Sequence, residues 1–441
     1  MNFELINTTF LKKFNPQRVT FFGILLWLFF FFSASMQIKE PASFVSILYI
    51  FINYIALFTG FLLMRKTPVT INKKFIPKKE TVLLLLYIFI TVAILGFVFR
   101  LVDKLVIRQI VIGDTTIENR KLLVAIKPSI FGVLSAMMTP FSYIPFFLFH
   151  FLKLKSKFFG LICLVVFFLP VFDNLIMGSR SGIFIVIIFF AIIVSYFQLI
   201  KFTLSKTLII GIFLFIGLLI TTRFFVERTK EYMVTDERAI KHILTNAVYN
   251  FTLEPTEKAR DNIINTEIKT LKMAKLTHMN VAQYYCHGIF EFAYLQKNYE
   301  NPHYYGAFTF GIIFKFTNII LGTNIDLNKI QNSAPRTGIY TTFFGPTYID
   351  FGWLAPFFMF FFGILQSIVY NKILKGNFKY IPLLFYFLII DFFIPVINFI
   401  DSAQGLYTIF SLLLFIFLFK LASSKIIFQV NNERKQIRFF K

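Results

Sequence analysis

Residues 226–262, VERTKEYMVTDERAIKHILTNAVYNFTLEPTEKARDN, open the one long polar stretch of a chain that is otherwise a succession of apolar runs. The stretch reaches from Val226 to Phe344 and holds 13 basic and 11 acidic residues, close to balance. Seven apolar runs precede it and three follow, so the side of a membrane on which it lies sets the arrangement of the rest. The runs cover 19–36, 42–64, 81–99, 129–152, 158–177, 182–200, 207–225, 346–371, 380–399 and 403–422. A helix needs about 20 apolar residues to cross the hydrocarbon, where lipid offers its backbone no hydrogen-bond partner.

With 57% hydrophobic and 20% aromatic residues, 65 of them Phe, the 441 residues carry more apolar surface than a soluble core can hide. This predicts an all-α polytopic membrane protein of about ten spans. It divides into a bundle of about seven spans (1–225), a large helical loop (226–345), and a bundle of about three spans with a basic tail (346–441). The first run follows Lys12, Lys13 and Arg18 and ends in small residues, a layout shared with signal peptides; nine further spans behind it favour a retained first span.

The net charge of +23 argues for topology rather than for nucleic acid, because the basic residues cluster between spans. Alternate connections and the two termini together hold 23 basic residues against Glu4, Glu80 and Glu433. The positive-inside rule then puts both termini in the cytoplasm and the 226–344 stretch outside. Two cysteines, Cys163 and Cys286, exclude a disulfide framework, and no Cys/His spacing fits a zinc site.

Among the connections, Arg100 to Lys127 contains LVDKLVIRQIVI, whose apolar spacing predicts a helix lying along the surface. Within the long loop, Asp236–Asn250 and Pro255–Met279 read as amphipathic helices and Asn280–Tyr299 as a more apolar one. Gly306–Gly322 is interrupted by Lys315 and Asn318 and reads as interfacial or re-entrant.

Charges near hydrocarbon are costly, so those kept there are functional candidates. Arg180 in GSRSG, Arg223, Asp350 and Asp401 stand at outer helix ends, with Arg336 just before Asp350. The plain alternative for each is a snorkelling end charge. Small residues around Arg180 let a phosphate approach the backbone under a guanidinium, and Asp173, seven residues earlier, can orient that arginine or pair with it. Asp391, in mid-span, is expected to face the bundle interior and pair there, with Pro395 kinking the helix beyond it. In the loop, His287 and Glu291 share a helix face and suit a general base and its orienter, with His303 nearby; an ordinary surface pair is the alternative. The aromatics Tyr284, Tyr285, Phe290, Phe292, Tyr294, Tyr304 and Tyr305 can stack on sugars or simply pack.

GSRSG opening a span, a large loop after the next span, and then TFFGPTYIDFGWLAPFFMFFFGIL resemble the Wzy family, the O-antigen or capsular oligosaccharide repeat-unit polymerases. The local likeness covers about 178–182 and 336–363. It implies the fold of the integral-membrane (GT-C-like) glycosyltransferases and a transfer that needs no metal or other cofactor. The implied substrates are undecaprenyl-pyrophosphate-linked oligosaccharides, met at the outer face of the bacterial cytoplasmic membrane. The growing chain passes onto a new lipid-linked repeat unit in lipopolysaccharide or capsule synthesis. A flippase and a chain-length regulator of the same pathway are the implied partners beside membrane lipid.

The family's arginine in GSR matches Arg180, and its Tyr/Asp/Gly motif matches Tyr348, Asp350 and Gly352. No pair of loop motifs with Arg followed about ten residues later by Gly is found. Such chemistry breaks a bond to a pyrophosphate leaving group, for which Arg180, Arg223 and Arg336 are the cations at hand. His287, Glu291, His303 and Asp350 compete as the base. An O-antigen-ligase-type glycosyltransferase shares nearly all of these features, and a polysaccharide flippase or other transporter is the non-enzyme alternative.

Overall fold

The computed structural model describes residues 7–65, 79–111, 122, 129–176, 181–200, 204–401 and 403–438. The chain is mostly helical, and among the described residues seven helices are long and apolar enough to cross a membrane, making it a multi-pass membrane protein. These are α1 (Pro16–Ser33), α2 (Phe44–Met64), α3 (Lys79–Leu101, running on to Ile107), α4 (Ile130–Phe151), α5 (Lys157–Ile176), and, later in the chain, Phe344–Leu374 and the helix starting at Ala403. The other three expected spans fall on α6 (Ser181–Tyr196), α7 (Leu204–Met233) and a 13-residue helix, Ile381–Phe393.

Between them the loop folds as α8 (Asp236–Asn246), α9 (Glu257–Ile264), α10 (Lys269–Asn298) and α11 (Gly311–Leu321). The C-terminal part is then α12 (Phe344–Leu374, with a short 3-10 turn at Gly352–Leu354), α13 (Ile381–Phe393) and α14 (Ala403–Arg438).

Two helix pairs approach closely enough to touch backbone to backbone. A Cβ on Gly363 of α12 would meet the Leu57 carbonyl of α2 at 2.2 Å, and one on Gly23 of α1 would meet the Phe392 carbonyl of α13 at 2.2 Å. Small residues at such crossings gain van der Waals contact that lipid cannot replace. α13 is the buried centre, with every residue from Ile381 to Asp391 hidden.

The helices alternate in direction. Asn7 reaches Tyr196, Tyr370 donates to the Leu11 carbonyl, and Phe378 packs between Phe151 and Phe419, so those turns and the N-terminal segment share one end of the bundle. The 226–344 segment lies at the other end, tied there by β1 (Met36–Ile38) pairing antiparallel with β2 (Leu253–Pro255). This small sheet adds a feature that an all-α reading lacks.

The structure differs from expectation in three places, two of them in the loop. The amphipathic stretch 255–279 breaks at Asn265–Ile268, and its second half joins 280–298 as the single helix α10, which packs on α1, α2 and α7 and is largely buried. Asp236–Asn250 ends its α-helix at Asn246 and tightens to a 3-10 turn, Val248–Phe251. The 380–399 run is helical only to Phe393; beyond it the chain is irregular, with Phe343 N–H donating to the Ile394 carbonyl. The segment 306–322 holds an 11-residue helix that is too short to cross and buries none of its residues.

Candidate functional site

Among the described residues, a cluster of charge lies where α3 and α5 end and α4 begins. Described from Arg100 to Val111, LVDKLVIRQIVI is not a surface helix: α3 widens into a π-helical turn at Val102–Ile107, closed by Arg108 N–H to the Asp103 carbonyl at 3.0 Å. The extra residue per turn lets neighbouring Asp103 and Lys104 both point inward, where a regular helix would splay them by about 100°. Asp103, Lys104 and Arg108 are only 2%, 4% and 5% exposed.

Each has a partner. Arg108 Nε donates to Asp103 Oδ2 at 3.0 Å, and Ser129 Oγ donates to Oδ1 at 2.5 Å. Lys104 Nζ donates to Asp173 Oδ1 at 2.5 Å and to its carbonyl at 3.1 Å, with Arg100 Nε 3.5 Å from Oδ2. Gly132, in the first turn of α4, leaves room for Asp103, whose carboxylate would lie 2.9 Å from a Cβ there. Among the described residues this cluster sets three cations against two carboxylates. Asp173 therefore serves Lys104 and Arg100. Arg180, with Gly178 and Ser179, lies outside the described residues; a Cβ on the described Gly182 would meet the side chain of Asn174, which follows Asp173 in α5.

Asp401 stands at the same end of the bundle. Helices α4 and α14 both begin there, and Ser411 Oγ donates to the Met137 carbonyl at 3.2 Å, about two turns into each. Burial, and then the charge of Asp350, push the Asp401 carboxyl up to about 7.

The remaining sequence candidates are engaged elsewhere. Arg223 donates to Asp236 at 3.0 Å and to Glu227, in a network with Lys230. Arg336 Nη1 lies 2.7 Å from both oxygens of Glu291, its Nη2 donates to the Val248 carbonyl, and its guanidinium lies 3.9 Å above the Phe251 ring. Thr252 also donates to Glu291. Burial raises the Glu291 carboxyl above its usual range, against the lowering by Thr252 and Arg336.

His287 and Glu291 do share a face of α10, but they do not form a base and its orienter. The His287 ring donates from Nδ1 to the Gln283 carbonyl at 3.1 Å, its Nε2 has no partner, and burial pushes its pKa down to about 4.

Asp350 is fully buried and accepts the N–H groups of Phe308 and Thr309 at 2.8 and 2.7 Å, so it pins the 306–310 turn. Gly352, at φ +52°, has no room for a side chain because a Cβ there would meet His303 Nε2 at 2.3 Å. His303 is half-buried, donates through Nδ1 to the Ile349 carbonyl at 3.2 Å, and stacks on Tyr299. Tyr348 meets it edge-on. The Tyr348/Asp350/Gly352 motif thus locks the loop onto the bundle. Of the loop aromatics, Tyr285, Phe290 and Phe292 are core, while Tyr305 is exposed.

Asp391 faces the interior as expected. Its Oδ1 accepts from Gln366 Nε2 at 2.6 Å, and its Oδ2 has no partner.

Sequence reasoning missed Asp103, Lys104 and Arg108. The signal was present: three charges inside an apolar run at the end of a span, the same criterion that singled out Asp391. Among the described residues no His, Cys, Asp and Glu group is arranged to hold a metal ion. No protein-family model, curated protein or solved structure matches the chain.

Proposed function

We propose that this protein is a membrane glycosyltransferase that polymerises polyprenyl-pyrophosphate-linked oligosaccharide repeat units at the face bearing the 226–344 segment. The observation that supports this most is the group of cations Arg100, Lys104 and Arg108 held by Asp103 and Asp173 at the end of the bundle that bears the 226–344 segment. Breaking the bond between an anomeric carbon and a pyrophosphate moves negative charge onto the leaving group. Cations already fixed by buried carboxylates stabilise that charge without reorganising. In this reading Arg180 contacts the pyrophosphate, and the Asp103/Asp173 cluster holds the field behind it.

The attacking hydroxyl must lose a proton as the new glycosidic bond forms. Asp401, with a carboxyl poised near neutrality at the same end of the bundle as the cluster, suits that task better than Glu291, Asp350 or His287, each of which is held by hydrogen bonds within the fold. On this reading the positive-inside pattern places the site outside the cytoplasmic membrane.

The test compares Arg180→Ala and Lys104→Met variants, each confirmed to be present in the membrane, by running surface polysaccharide on a gel. Loss of the polymer ladder with single repeat units still displayed supports a polymerase. Complete loss of surface sugar points to a ligase or flippase, and an unchanged ladder refutes the role of the cluster. One observation favours the transporter alternative: the buried, half-satisfied Asp391 in mid-bundle is the kind of acid that ion-coupled transport uses.

A further inference from the structure

At the opposite end of the bundle, a crevice of about 450 Å³ opens between the end of α4 and the start of α5. Its walls are Phe149, Leu154, Leu161 and Leu164, and its mouth is formed by Lys155, Ser156 and Lys157. The two walls are held apart by the connection 152–157, LKLKSK, which has three lysines and no acid. All three lysines are exposed.

The turn itself is built for a glycine. Lys153 N–H donates to the His150 carbonyl and Leu154 N–H to the Phe149 carbonyl, the paired bonds of a Schellman helix end, and Lys153 takes the left-handed position at φ 50°. Glycine fits that position without strain, whereas a lysine is crowded there. Its charge favours the adjoining helix C-terminus, and it stands two residues before Lys155 in the connection that bears the mouth.

From the mouth the crevice runs along α5 in the direction of the bundle. Leu161 and Leu164 lie four and seven residues past Lys157, about 6 and 10 Å along the axis. Gly160 lets the Phe149 ring lie close, since a Cβ there would come within 2.8 Å of it. The outer face of α5 beside the crevice is apolar and uncovered at Phe158, Leu161 and Val165.

A cationic mouth on an apolar trough aimed into the hydrocarbon is complementary to one kind of molecule. We propose that this crevice binds one anionic glycerophospholipid of the adjoining leaflet, its phosphate held by Lys155, Lys157 and the Lys153 charge and an acyl chain laid against Phe149, Leu154, Leu161 and Leu164. This inference does not depend on the activity proposed above.

The experiment is native mass spectrometry of the full-length, detergent-purified protein titrated with dioleoyl phosphatidylglycerol or dioleoyl phosphatidylcholine. One phosphatidylglycerol is expected to bind in preference to phosphatidylcholine. Lys155→Gln with Lys157→Gln is expected to weaken it about tenfold. Lys153→Gly, which relieves the backbone and so keeps the fold, is expected to weaken it about threefold.

Lys372→Gln with Lys375→Gln, in another basic connection at the same end, serves as the control and is expected to change nothing. Equal binding of the two lipids, or an undiminished preference in the Lys155/Lys157 variant, overturns the site. So does an equal loss in the control, which would reduce the preference to general surface charge.

Discussion

His287 gives the sharpest quantitative prediction. Its imidazole is fully buried on α10, donates through Nδ1 to the Gln283 carbonyl, and is held neutral by burial with a pKa near 4. An unfolded chain carries the same ring at about 6.5. The folded value is depressed, so the unfolded state takes up the proton first, and stability present above about pH 6.5 is lost as pH falls through the window to about 4. The loss is about 2 kcal/mol at pH 5 and about 3 kcal/mol at pH 4.

His287→Asn keeps a donor near the Nδ1 position but cannot titrate. Hydrogen–deuterium exchange of the 269–298 segment in detergent, corrected for the intrinsic rate, reads the opening free energy of α10 at each pH. Wild type minus variant isolates His287, because Glu291, whose carboxyl is raised, acts in the opposite direction in both proteins. The difference should shrink by about 2 kcal/mol between pH 7.5 and pH 5. Parallel pH profiles for the two proteins would refute the burial argument.

Arg336→Ala should leave Glu291 charged in a buried site and cost about 3 kcal/mol or more, while adding Glu291→Leu should restore part of it; thermal unfolding of the single and double variants in detergent decides. Gly363→Val should push α12 off the α2 backbone and lower the yield of folded protein, with a cost of about 1–3 kcal/mol in the same assay. Asp401→Asn should abolish polymer while leaving melting temperature within a few degrees, and an intact ladder in that variant would remove Asp401 as the base. Asp391→Asn should keep full polymerisation; loss of surface sugar there, with the protein folded, would favour ion-coupled transport.

The membrane class and the helical character were legible in the sequence because lipid imposes a length and a composition that no other solvent does. The same rule made Asp391 stand out and correctly sent it to the interior. Periodicity failed at LVDKLVIRQIVI, since a π turn changes which residues share a face and thereby turned charges expected at the surface into a buried cluster.

At 280–298 the expected apolar helix is present, but it belongs to the longer α10, and its His287 and Glu291, which looked like a site, are buried in the fold. Arg223, Arg336 and Asp350 were found as charges worth notice; Glu227, four residues past Arg223, is a local partner, but Asp236, Glu291 and the Thr309 N–H come from 13, 45 and 41 residues away and no local pattern announces them. Sequence alone thus determined which segments suit hydrocarbon and where charge is costly, because transfer energies are properties of single residues and short runs. Only the tertiary structure decided which charges neutralise one another and which remain in excess, because pairing depends on helix ends brought together across the whole chain.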